Sequence, residues 1–166
     1  MTWFWAGLYL AAAVAANLAV AAWGPAATLP AAALCIGCDL TARDALHERW
    51  EGPGLVGRLG ALIAAGSALT YLASPAAGRV ALASLLAFAV SATVDSLAYG
   101  ALRQHIPLVR VNGSNLASAL ADSLVFPTVA FGALLPWVIL GQFVAKVAGG
   151  ALWSPLVVAL RRRRAA

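Results

Sequence analysis

The sequence predicts an all-α integral membrane protein, a bundle of six transmembrane helices, and three observations carry that reading. The 166 residues are 63% hydrophobic and only 10% charged, whereas a soluble domain averages about 25% charged. The mean hydropathy is +0.87. The charged residues are bunched into short stretches, and the apolar runs between them approach the ~20 residues that cross a bilayer as a helix. The whole chain, 1–166, therefore reads as a single transmembrane domain.

The first apolar run, residues 2–23, lacks the positive leading region of a secretory signal, so it reads as a retained helix. A turn over Gly24 to Pro30 leads to a second helix over about 31–50, and the E-G-P-G stretch from Glu51 to Gly54 breaks the chain after it. The third helix covers 55–73 and ends at Ser74-Pro75; the fourth covers 79–102, before the loop marked by Pro107. The fifth is expected over 112–131, with Asn112 or Ser114 capping its free amides. The sixth is expected over 136–160, and Pro155 inside it requires a kink or a neighbour for the freed carbonyl.

Basic residues orient the bundle, because cytoplasmic loops hold the excess of Lys and Arg. Arg49 and Arg58 follow helix two, Arg103 and Arg110 follow helix four, and Arg161 to Arg164 form the tail; the opposite side offers only Arg79. Both termini are thus expected in the cytoplasm, with the chain multi-pass in the inner membrane. The net charge of +5 is read as this topology signal facing anionic lipid. No basic face interleaved with aromatics exists to bind nucleic acid. Trp3, Trp5, Trp23, Trp50 and Trp153 lie near expected helix ends, where an interfacial belt belongs.

Cys35 and Cys38 form a C-I-G-C spacing inside an apolar segment, away from His47 and His105. A metal site needs more ligands than that, so the pair reads as small buried residues, with no metal and no cofactor. The sequence also lacks the H-E-x-x-H, G-x-S-x-G and phosphate-cradling glycine patterns of enzymes.

The informative residues are the ionisable ones at membrane depth, which cost roughly 2.5–3.5 kcal/mol each on insertion scales. Asp39, Arg43 and Asp44 fall in helix two, Asp95 in helix four, Asp122 in helix five and Lys146 in helix six. Asp39 and Arg43 are four apart, an acid preceding a base on one helix face. Ser114, Ser118 and Asp122 repeat every four residues, with Asn115 three before Ser118; Ser91, Asp95 and Tyr99 form a similar stripe. Gln142 and Lys146 do the same on helix six, and Asn17 adds a carboxamide to helix one. Converging, these stripes line a polar cavity suited to a small polar molecule; the bland alternative is interhelical glue worth about 0.6–2 kcal/mol per contact.

The stretches C-D-L-T-A-R (Cys38 to Arg43), V-D-S-L-A-Y in helix four, S-N-L-A-S-A-L-A-D-S-L-V-F-P-T-V-A-F (Ser114 to Phe131) and Q-F-V-A-K in helix six resemble the queuosine precursor transporters, or vitamin uptake transporter family. Asn17 matches an asparagine in that family's first helix, and the D-S-L run of helix five is the most specific element. The resemblance implies a six-helix layout similar to the substrate-binding subunits of energy-coupling-factor transporters. It also implies import of 7-deazaguanine bases such as preQ0 and preQ1, with Asn17, Asp39, Arg43, Asp95, Asn115, Ser118, Asp122, Gln142 and Lys146 as substrate-binding candidates. A carboxylate can accept both the ring N-H and the exocyclic amine of a guanine-like edge. A homo-oligomer and an energy-coupling ATPase partner are both open on this reading, and a non-transporting assembly or sensor subunit is the competing class.

Overall fold

The computed structural model describes residues 2–34, 46, 50 and 54–148, and among these it is all helical, with no strand. Helix α1 spans Thr2–Trp23. Gly24 adopts φ +68, a left-handed conformation open to glycine, and it starts the 3-10 turn Gly24–Ala27. The Thr28 hydroxyl donates to the Pro25 carbonyl at 2.6 Å. Helix α2 follows over 28–34, so it begins before the expected residue 31 and includes Pro30 in its first turn, a position where a missing N–H costs nothing.

Helix α3 spans Leu55–Ala73, the bounds expected from sequence. The 3-10 turn Pro75–Ala77 leads into α4, Gly78–Ala101. Helix α5 spans Pro107–Phe131, five residues longer at its start than expected. Pro107 occupies the first turn, where its fixed φ suits a helix and no amide is wasted. Asn112 and Ser114 consequently lie inside α5 and do not cap it. Helix α6 is described over Pro136–Ala148; its expected continuation to 160 lies outside the described residues.

Three helical stretches are long and apolar enough to cross a membrane: Thr2–Leu34, Leu55–Ala73 and Pro75–Ala101. The expected count of six crossings thus narrows to three candidates among the described residues. Helix α5 is 25 residues long but spends its length on Asn112, Ser114, Asn115, Ser118, Asp122, Ser123 and Thr128. Large apolar side chains such as Trp3, Leu72, Leu97, Leu134 and Leu140 face outward, a surface that water would penalise and hydrocarbon would not.

Helices α4 and α5 form the most extensive pairing, an antiparallel hairpin, and an arginine fastens each of its ends. At one end Arg79 donates from Nε to the Val129 carbonyl at 2.9 Å, placing a cation at the C-terminus of α5, where the helix dipole favours it. At the other, the Arg110 guanidinium lies 4.2 Å from the Tyr99 ring centroid. Gly132 ends α5 with φ +70, its N–H returning to the Thr128 carbonyl at 2.9 Å. A Cβ there would collide with the Arg79 guanidinium.

Association in lipid depends on close packing more than on apolar transfer. Gly66 of α3 lets Leu10 of α1 approach to 3.4 Å of where its Cβ would lie, and Gly141 of α6 lets Leu29 approach to 2.9 Å. Two apolar clusters result: Ala6, Tyr9, Leu46 and Ile63 in one, and Val20, Ala27, Val80, Ala83 and Ala130 in the other. Along α1, Asn17 falls between them.

Candidate functional site

The polar stripes of α5 and α6 meet. Lys146 of α6 forms an ion pair with the Asp122 carboxylate of α5. The same ammonium lies 3.3 Å from Ser123 Oγ and 3.5 Å from Gln142 Oε1. Gln142 sits one turn before Lys146, so helical period alone puts them together. Ser123 and Gln142 are buried, while the Asp122 and Lys146 side chains retain 29% and 22% exposure. The pair is therefore partly exposed, and its ammonium has three acceptors of its own protein within reach.

Pro127, fully buried inside α5, adds to this environment. With no N–H, it leaves the Ser123 carbonyl without its normal helical donor, at the residue whose hydroxyl Lys146 reaches. Sequence reasoning missed both Ser123 and Pro127, although the D-S-L-V-F-P run contains both; the signal was a proline one turn beyond a buried serine.

Asn17 takes part in a different node. Its Nδ2 donates to Thr70 Oγ1 at 3.4 Å, its Oδ1 accepts from Ser84 Oγ at 3.1 Å, and the Thr70 hydroxyl donates to the Gly66 carbonyl at 2.8 Å. One carboxamide thus joins α1, α3 and α4, and Asn17 and Thr70 are buried. Thr70 and Ser84 were not singled out from sequence.

The hairpin sets the relative depth of these groups. With Arg79 against Val129 and Arg110 against Tyr99, Ser84 is level with about residue 124 of α5 and Asp95 with about residue 114. The Asn17 node and the Asp122 cluster therefore share a depth. Asp95 lies about eight residues, ~12 Å, further along the bundle, so it does not face Asp122 as a converged cavity would require. Its Oδ1 is buried and has no hydrogen-bond partner.

The remaining candidates divide. Ser118 donates to the Asn115 carbonyl of its own helix at 3.1 Å, and Ser91 to the Phe88 carbonyl at 3.1 Å. The Asn115 side chain is exposed and Ser114 is buried. Asp39, Arg43 and Asp44 lie outside the described residues. Arg110, counted from sequence as a loop residue, belongs to the first turn of α5. Among the described residues no group of three or more His, Cys, Asp or Glu could hold a metal ion.

Residues 3–160 match the family described as "Putative vitamin uptake transporter". A Bacillus subtilis (strain 168) protein named "Probable queuosine precursor transporter" is 34% identical over 94 residues, 51% of this chain. That match spans 41% of the relative, less than half of its length. No solved structure matches the chain.

Proposed function

The chain belongs to the vitamin uptake transporter family, and from that premise we propose that it imports a 7-deazaguanine queuosine precursor such as preQ0 or preQ1 across the inner membrane. The observation that carries this reading is the half-open Asp122–Lys146 pair inside an apolar bundle. An interhelical tie would be best closed from all sides. The partial exposure of this one supports a role in holding a ligand.

A guanine-like edge presents two adjacent N–H donors, and a carboxylate can accept both. The incoming donors compete with Lys146 for Asp122. The displaced ammonium has Ser123 Oγ and Gln142 Oε1 within 3.5 Å, so it can release the carboxylate without becoming an isolated charge, whose burial would be costly. Of the other candidates, Asn17 positions α1 beside the site, Ser118 and Asn115 extend the α5 stripe, and Asp39 and Arg43 complete the set from helix two. The Bacillus subtilis relative, named for a queuosine precursor, supports the cargo class.

The test is uptake of labelled preQ0, preQ1 and queuine by cells that can neither make nor import them, with and without this chain. Accumulation of a deazaguanine only when the chain is present is the expected result. Absence of uptake by well-inserted protein would favour a non-transporting membrane subunit. The proposed orientation, both termini cytoplasmic, is tested by external thiol labelling: a cysteine introduced near Gly78 should react and one near Ala165 should not. The reverse pattern overturns it.

A further inference from the structure

We infer that the oxygens around Lys146 form a cage for a monovalent, ammonium-type cation, and that the chain fills it with its own side chain in place of a cation drawn from solution. The observation is the convergence of three oxygens of three chemical kinds on one nitrogen. Asp122 supplies a carboxylate, Ser123 a hydroxyl at 3.3 Å and Gln142 a carboxamide oxygen at 3.5 Å. An ammonium carries three N–H donors and no acceptor, so each donor meets one wall of the cage.

An ion pair alone needs only the carboxylate. Ser123 is fully buried and Gln142 is 3% exposed, and a buried polar oxygen costs free energy unless something donates to it. Pro127 adds to the imbalance, because it denies the Ser123 carbonyl its normal helical donor. The place is rich in acceptors and poor in donors, the balance a cation site requires. Its charge and size narrow the occupant. One carboxylate matches one positive charge, and separations of 3.3 and 3.5 Å are long hydrogen bonds, whereas hard divalent cations draw oxygens to about 2.0–2.6 Å.

A tethered cation returns to its cage as an intramolecular event, so occupancy does not depend on the ions outside. When cargo takes the Asp122 carboxylate, the group that moves is a lysine held by Ser123 and Gln142, and no sodium or potassium ion travels at this site. This coupling statement rests on the proposed importer reading; the cage does not.

The test is the melting temperature of the purified full-length chain in lipid nanodiscs. Lys146→Ala removes Cγ to Nζ, the atoms of n-propylammonium, which is therefore the probe; tetramethylammonium, charged but without N–H, and neutral 1-propanol are the controls. The variant should melt below wild type, and propylammonium should raise it saturably by about 3–6 °C, with neither control doing so. Wild type should respond neither to propylammonium nor to exchange of sodium, potassium and choline. Adding Asp122→Asn to Lys146→Ala should abolish the response, and adding Gln142→Leu should weaken the apparent affinity about tenfold. A variant that answers all three probes alike, or a wild type stabilised by sodium or potassium over choline, overturns the cage. If Lys146→Ala is not recovered from ordinary buffer, it is purified in propylammonium and the fall in melting temperature on removal is read; failure to recover it even then also overturns the cage. Uptake of labelled preQ0 and preQ1 into proteoliposomes should stay within about twofold when choline replaces sodium and potassium on both sides, since the tethered cation is always present. Dependence on either ion removes the coupling statement and leaves the importer reading standing. The expected melting pattern in a chain that carries no deazaguanine keeps the cage and removes the importer reading.

Discussion

Two polar nodes sit at the same depth of this bundle and are built on opposite terms. At Asn17 a neutral carboxamide, 5% exposed, donates to Thr70 and accepts from Ser84, and Thr70 in turn bonds to its own helix. At Asp122 a full ion pair remains 22–29% exposed, and its ammonium has three acceptors within reach, one for each of its N–H groups. The first node is closed and joins three helices. The second keeps a charged pair partly exposed, and the proposed cargo would offset its insertion cost.

The largest effect is expected from Asp122→Asn. The change keeps size but replaces a two-oxygen acceptor with one acceptor and one donor, setting a donor against the cargo's donors. A lost charged hydrogen bond and an unpaired donor cost about 1–3 kcal/mol each, so uptake should fall about 100-fold or more while the protein still inserts. Normal uptake with normal membrane levels would make the Asp122 cluster a second tie, no different in kind from Asn17.

Next comes the pair itself. Lys146→Met leaves a carboxylate without its partner, a penalty of ~3–5 kcal/mol for a fully buried pair and less for this half-open one. Folded yield should drop, and the double change Asp122→Asn with Lys146→Met should recover much of it. Uptake should stay absent in both. Uptake restored together with yield would show that the charges serve folding alone.

A smaller effect is expected at the closed node. Asn17→Leu removes the bonds to Thr70 and Ser84 and should cost ~1–2 kcal/mol, read as a lower melting temperature in detergent. The KM of the surviving uptake should remain within about twofold. A KM that rises with stability unchanged would move Asn17 from the frame into the site.

The smallest is Gly132→Ala at the end of α5. An alanine at φ +70 carries the left-handed penalty of roughly 1 kcal/mol and pushes the Arg79 guanidinium off the Val129 carbonyl. A modest loss of thermal stability is expected, with unchanged uptake per folded molecule. An uptake defect beyond the stability loss would mean that the Arg79 end of the hairpin moves during transport.

The sequence by itself determined that the chain is helical and membrane-bound, the bounds of α3, the family, and the identity of the costly polar groups. Composition and period 3.6 decide those locally, because an apolar run of a given length has one favourable environment. It placed α5 five residues late, since a proline read as a loop marker serves equally as a first-turn residue. Only the tertiary structure decided which groups meet. Helical phase gives the face of a side chain but neither the helix opposite nor the depth at which the two pack. Asp122 and Asp95 look equivalent as isolated carboxylates in adjacent stripes. The hairpin, fastened at Arg79–Val129 and Arg110–Tyr99, sets them ~12 Å apart, with Lys146 beside one and an unfilled acceptor at the other. That division follows from the vertical register of packed helices, a relation between segments that no single segment encodes.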